Sequence, residues 1–328
     1  MPDDRHDRPA DVIADDAPRR DWRPTGVDGR TSLWATLRRT VSEFKEDDLT
    51  DWSAALTYYG LLSLFPALLA VSSLVGLFAD PQTITDVILE IAPESAADTL
   101  SGPIDSITSS SGAAGFALVL GLAGALWGAS GYIAAFGRAS NVIYEVREGR
   151  PFWKLRPFQI LITLVMVLLL VVVALAVVLT GPIVEAIADP LGIGDTAVTV
   201  WDYAKWPVLA AMVVLMLAIL YHSAPNVRQR DWRSVVPGVV LALVLWGVAS
   251  AAFAFYVANF GSYDRTYGTL GGVIVLLVWM WISNVALLLG AELNAERERT
   301  AELREEVPGA EVEIQLEPRD DPTRPTTL

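Results

Sequence analysis

Residues 267–294 read YGTLGGVIVLLVWMWISNVALLLGAELN, and the reading of this stretch decides the fold. About twenty predominantly apolar residues are what a helix needs to cross a bilayer. The stretch opens on small residues, with Gly268 and Gly272 at a GxxxG spacing. Small residues four apart let a second helix approach at backbone distance in lipid. One amide, Asn284, lies well inside the apolar run, and the run closes on Glu292 and Asn294. A segment of this kind belongs in a membrane.

Outward from it, five more apolar runs are candidates for spans, at about 54–79, 112–136, 158–184, 207–221 and 235–258, with 268–289 as the last. The chain is 53% hydrophobic yet carries a formal net charge of −14, which requires polar and apolar residues to be segregated along it. Charge-free runs of this length are rare in water-soluble domains. The reading is therefore an all-α integral membrane protein with six transmembrane helices. Basic residues orient it, since cytoplasmic loops carry the excess of Lys and Arg. Fifteen bases, from Arg30 to Arg304, fall in alternate segments, against Lys205 and Arg265 in the others. Both termini are then cytoplasmic.

The remaining segments divide the chain into three parts. Residues 1–30 mix Asp, Arg, Pro and Gly and cannot bury enough surface to offset ordering entropy, so a disordered cytoplasmic N-terminus is expected, with no cleavable signal. Residues 31–295 form the membrane domain, entered through an amphipathic helix on which Leu33, Leu37, Val41 and Phe44 share a face. Residues 296–328 read as an acidic, largely disordered cytoplasmic tail. In the first external segment, Ile84, Val87, Ile88 and Ile91 recur at helical spacing and predict short amphipathic helices there, either a stabilising lid or a gate.

Ionisable groups inside hydrocarbon are the usual pointers to ion or proton pathways. The cores of the predicted spans hold none. Their polar groups are neutral: Tyr58, Tyr59 and Ser63 in the first, Ser130 and Tyr132 in the second, Ser250 in the fifth, Ser283 and Asn284 in the sixth. Each is a candidate pathway residue or an interhelical hydrogen bond. Pro66 frees a carbonyl one turn earlier and is a candidate hinge. In the glycine-dense second span, Gly124 and Gly128 form part of a small-residue surface suited to close packing. Leu126–Ser130 and Leu245–Ser250 echo one another, as either an inverted repeat or two apolar helices of similar composition would. At the cytoplasmic boundary, Glu292 comes close in depth to Arg138 and Arg147, a candidate inner latch.

Other chemistry is not indicated. Cysteine is absent, and the two histidines, His6 and His222, cannot form a multi-histidine metal cluster. No nucleophile elbow or phosphate-cradling loop occurs. The acidic balance argues against nucleic-acid binding. No catalytic, cofactor or metal site is expected, and the protein is read as not an enzyme.

Three stretches carry a family resemblance. AALTYYGLLSLFPALLA (residues 54–70), NVIYEVREGRPFWKLR (141–156) and the closing helix at 267–294 resemble, in order, signatures of the YihY/BrkB family of bacterial membrane proteins. The resemblance implies six transmembrane helices in a bacterial inner membrane. It also implies a role connected with the envelope, since members are linked to serum resistance and envelope maintenance, and a related branch to lipopolysaccharide-precursor export. An older family label, ribonuclease BN, calls for metal-binding clusters and a basic groove, and the sequence offers neither. The function expected is transport or flipping of a lipid or other amphipathic molecule. Alternatives are a non-transporting scaffold or partner subunit and, more distantly, an ion antiporter or an RNA-processing enzyme. Membrane lipids are the expected partners, with a homo-oligomer or an envelope protein as further possibilities.

Overall fold

The computed structural model describes residues 31–78, 113–178, 195–259 and 269–320. Seven α-helices lie within them: α1 (Leu33–Glu46), α2 (Leu49–Phe78), α3 (Ala113–Ile143), α4 (Phe152–Val178), α5 (Asp195–Ser223), α6 (Val236–Asn259) and α7 (Thr269–Arg304). No strand occurs among the described residues, and the chain is all-helical there. Four helices are long and apolar enough to cross a membrane, over Phe152–Val177, Thr199–Ser223, Val236–Asn259 and Gly271–Arg304. The expected N-terminal disorder, the amphipathic helices near residues 84–107 and Gly268 lie outside the described residues.

Local chemistry explains several boundaries. Ser32 caps α1, its hydroxyl accepting from the Ala35 N–H at 3.2 Å. α3 ends in a reversed turn: Val146 N–H donates to the Asn141 carbonyl and Glu145 N–H to that of Val142. This pattern places Glu145 in the left-handed region, φ 54°, where glycine is usual. α7 ends the same way at Glu306. α5 continues through Pro207, so the shortest predicted span gains its length from the Trp201–Trp206 approach.

α7 is the hub of the bundle, packing on α6, α2, α1 and α3, while α2 packs on α3 and α3 on α4. The closest approach is between α6 and α7. A Cβ built on Gly290 would stand 2.5 Å from the Gly238 carbonyl oxygen, 2.5 Å from the Tyr221 hydroxyl and 2.8 Å from the Ala242 Cβ. Only glycine fits there. The buried core gathers toward one end of the bundle, where Phe44, Leu49, Phe136, Ile143, Tyr221, Val235 and Leu288 meet. Away from that end, Leu168, Val240, Val244, Phe255 and Val273 point outward, as lipid-facing residues do.

Three sequence expectations change here. On α1, Leu33, Leu37 and Val41 are exposed, but Phe44, expected on the same face, turns into the core and Arg39 is buried as well. The ordered chain does not stop at residue 295. α7 runs to Arg304, and residues 305–320 fold back against the bundle, with Ile314 buried and Val227 and Pro318 joined by an antiparallel bridge. Ion pairs and a buried isoleucine supply the attachment that composition alone did not show. The glycine surfaces also differ from expectation. Gly124, Gly128 and Gly272 are exposed, and a Cβ at Gly124 or Gly272 would meet nothing within 4 Å.

Candidate functional site

At the end of the bundle where the core is densest, charged side chains from α1, the α3 terminus and α7 converge. α7 supplies Glu292, Glu296 and Arg299, which follow its buried face at spacings of four and three, and each is 1% exposed. α1 supplies Arg39 and Glu43 one turn apart, followed by Asp47 at its C-cap. The left-handed turn after α3 supplies Glu145.

Glu296 is the centre of this cluster. One carboxylate oxygen accepts from Arg39 Nε at 2.7 Å, and the other lies 3.2 Å from Arg299 Nε. Arg299 also reaches Glu145 at 3.0 Å and Glu43 at 3.5 Å. Arg39 donates to the Thr300 hydroxyl at 2.6 Å, and Thr36 and Thr300 share a hydrogen bond at 3.0 Å. Five carboxylates thus surround two guanidinium groups. The excess shows at Glu292, whose Oε2 is buried with no hydrogen-bond partner.

Burial first, and the surplus of negative charge after it, raise the affinity of the peripheral acids for protons. Glu43 is pushed up to about 7 by burial, with Glu296, Glu46 and Glu145 adding to the effect against the pull of Arg299. Asp47 is likewise pushed up to about 7, by burial first and then by Glu43 and Glu145. Burial raises Glu145 as well, opposed by Arg299 and by the Ile314 N–H that its carboxylate accepts at 2.8 Å.

A second, better-balanced network sits beside it. Asn226, fully buried, donates its backbone N–H to Asn141 Oδ1 at 2.7 Å and its side-chain Nδ2 to the Arg147 and Asp320 carbonyls. Glu148 accepts from Arg150 through two side-chain bonds of 2.7 Å and from Asn141 at 3.0 Å. Burial opposes its charge, yet these bonds hold its carboxyl below the usual range. Arg319 ties the tail to the Val227 and His222 carbonyls.

The sequence-predicted residues fall into three groups. Asn284 and Tyr132 come together, with Thr57, which the sequence reading did not single out, as a third partner: the Tyr132 hydroxyl donates to Asn284 Oδ1 at 2.8 Å, and Asn284 Nδ2 donates to Thr57 at 3.1 Å, joining α3, α7 and α2. Tyr59 lies under the Arg138 guanidinium at 5.7 Å and edge-on to the exposed Tyr58. Among the described residues, Ser63 and Ser130 bond within their own helices, to the Gly60 and Trp127 carbonyls. Pro66 belongs to α2, and its side chain lies outside the described residues. The predicted latch does not form as drawn. Among the described residues no ion pair joins Glu292 to Arg138 or Arg147; the Arg138 guanidinium lies over the Tyr59 ring instead. Glu296 and Arg299 make the buried contact instead.

With this geometry in place, comparison with known proteins becomes informative. The family model described as virulence factor BrkB matches residues 40–313. The chain belongs to the BrkB family. It is similar to "Putative ribonuclease-like protein YfkH" of Bacillus subtilis, 35% identical over 275 residues, covering 83% of this chain and 98% of that one. A UPF0761 membrane protein of Tolumonas auensis is 39% identical over 79 residues, 24% of this chain and 26% of the relative. One from Alkalilimnicola ehrlichii is 28% identical over 268 residues, 77% of this chain and 56% of the relative, so the match spans little more than half of that protein. No solved structure matches. Membership and the apolar helices agree on a membrane protein, consistent with a bacterial inner membrane.

Proposed function

We propose that the chain is a six-span transporter or flippase-like protein that moves a lipid or another amphipathic molecule, with the charged end of the bundle acting as its closed cytoplasmic gate. The observation carrying this reading is the Arg39–Glu296–Arg299 cluster, which clamps α1, the α3 terminus and α7 together. Buried ion pairs are weak devices for stability alone but serve well as discrete two-state contacts. The neutral, hydrogen-bonded interior at Thr57, Tyr132 and Asn284 suits an amphipathic cargo better than a naked ion. Liposomes reconstituted with the purified protein should move a labelled lipid or amphiphile between leaflets faster than protein-free liposomes, and Glu296→Gln should alter that rate. No movement under any imposed gradient would overturn the reading.

A second reading, a membrane scaffold or partner subunit, is favoured by the glycines at 124, 247 and 272, which no described helix covers. Co-purification of a stoichiometric envelope protein, lost when these glycines are replaced by leucine, would select it. The ribonuclease-like name of the Bacillus relative belongs to that protein. Cleavage of RNA by highly purified protein would bring that activity here.

A further inference from the structure

Arg156 is the fifth residue of α4, at the start of a long, mostly apolar helix, Phe152–Val177. Its guanidinium carbon stands 4.1 Å over the Trp127 ring on α3. One terminal nitrogen donates to the Trp127 carbonyl at 3.0 Å, and the other reaches Gln159 Oε1 at 3.4 Å. No carboxylate pairs with it among the described residues, whereas Arg39, Arg150, Arg230 and Arg299 each have one. A guanidinium has five N–H donors. Two are used, the Nε is buried without a partner, and two remain on the terminal nitrogens.

The surroundings are those of a membrane interface. Trp127 is 51% exposed and Trp153 75%, and tryptophans gather where headgroups meet hydrocarbon. Lys154 adds a second cation, its side chain 61% exposed and paired among the described residues with Asp320 at a long 4.0 Å. Beside the Trp127 ring, Gly124 leaves open space, and Gly128 is exposed too. An unneutralised charge against lipid is costly, most of all at the bilayer centre and less toward the interface. A bilayer offers one abundant anion to remove that cost, the phosphate of its lipids. The planar fork of arginine suits a phosphate, and the stack on Trp127 holds the fork in place beforehand.

We infer that the junction of α3 and α4, built from Trp127, Arg156, Trp153 and Lys154, binds the headgroup of an anionic phospholipid, with an acyl chain lying along the open surface at Gly124. The exposed aromatic and glycine surfaces favour a ligand with a hydrocarbon portion over free phosphate. The site is independent of transport: a scaffold in the same membrane would carry it equally.

The test is thermal unfolding of the full-length, delipidated protein in neutral detergent, titrated with phosphatidylglycerol, phosphatidylcholine or inorganic phosphate. Phosphatidylglycerol should raise the midpoint, phosphatidylcholine less, and phosphate at equal concentration not at all. Arg156→Gln should weaken the phosphatidylglycerol response about tenfold in concentration. Arg233→Gln, at an exposed arginine in the α5–α6 turn, should leave it unchanged. Equal responses to the two lipids, or an Arg156→Gln titration matching the parent, would overturn the inference. Equal stabilisation by phosphate would replace the lipid with a simple anion. Should Arg156→Gln fail to fold, Trp127→Leu and native mass spectrometry of lipid retained by the unmodified protein give the same decision, preferential retention of phosphatidylglycerol supporting it.

Discussion

Glu296 has both carboxylate oxygens committed to arginines from different directions, and its replacement by glutamine leaves two buried guanidinium groups short of charge. Breaking a buried pair by removing one partner costs about 3–5 kcal/mol. Glu296→Gln should therefore lower stability by that order in denaturant titrations of the micellar protein. Glu292→Gln should be neutral or stabilising, since it removes one surplus carboxylate whose Oε2 has no partner. The same surplus sets a pH dependence. Glu43 and Asp47 move from ordinary values of 4.5 and 3.8 up to about 7 on folding, through burial first, with the carboxylates around them (Glu46, Glu145 and, for Glu43, Glu296) adding to the rise and Arg299 opposing it. Between those limits the folded protein binds more protons than the unfolded chain, so stability falls as pH rises from about 4 to 7 and then levels. Unfolding midpoints across that range check this, and Glu43→Gln should flatten the slope. Rising stability over the same range would contradict the burial of these acids. Little of this cluster was legible in the sequence, because Glu296 and Arg299 sit in a charge-rich run that reads as solvated. The available signal was their spacing: positions 292, 296, 299 and 300 continue the buried face that includes Leu288.

At the scale of elements, the contact between α6 and α7 depends on two glycines that neither helix advertises alone. The glycine-rich stretch of α3 and the Gly268–Gly272 pair were the visible candidates, yet Gly238 and Gly290 are where backbones touch. A packing surface belongs to a pair of helices, and one helix's small-residue pattern fixes only half of it. Gly290→Ala would drive a methyl group against the Gly238 carbonyl, the Tyr221 hydroxyl and Ala242. Overpacking of this kind costs about 1–3 kcal/mol. Gly272→Ala, with open space around it, should cost far less in the same unfolding assay. The tail makes a parallel point. Its composition is that of a solvated segment, but Ile314 enters the core and Glu145 and Glu302 accept from the Ile314 and Gln315 N–H groups. Truncation after Val312 should therefore lower the unfolding midpoint and speed proteolysis near Arg228, whose N–H is held by the Glu317 carbonyl. A truncated protein indistinguishable from the full chain would mean that the tail adds nothing to the fold.

For the whole molecule, the decisive constraint is which polar segments touch. The entry helix meets α7 through Arg39 and Glu296, the turn after α3 meets the tail through Glu145 and Ile314, and the α5–α6 turn meets both through Asn226. Segments that hydrogen-bond to one another lie on one side of a bilayer. Between successive members of this set the chain runs through α2 and α3, then α4 and α5, then α6 and α7. Each interval must cross the membrane an even number of times, and a helical hairpin does so in two. On this ground we propose six crossings, with α2 and α3 spanning beside the four helices that are long and apolar enough to do so. In the same proposal the arginine bias puts the shared side in the cytoplasm. Because the chain has no cysteine, single cysteines introduced at Gly149, Arg233 and Glu311 can be read directly. All three are expected to resist an impermeant thiol reagent added to intact cells and to react after lysis, while a cysteine at Asp264 should react from outside. Labelling of any of the first three in intact cells would break the shared side, and with it the cytoplasmic placement of the gate.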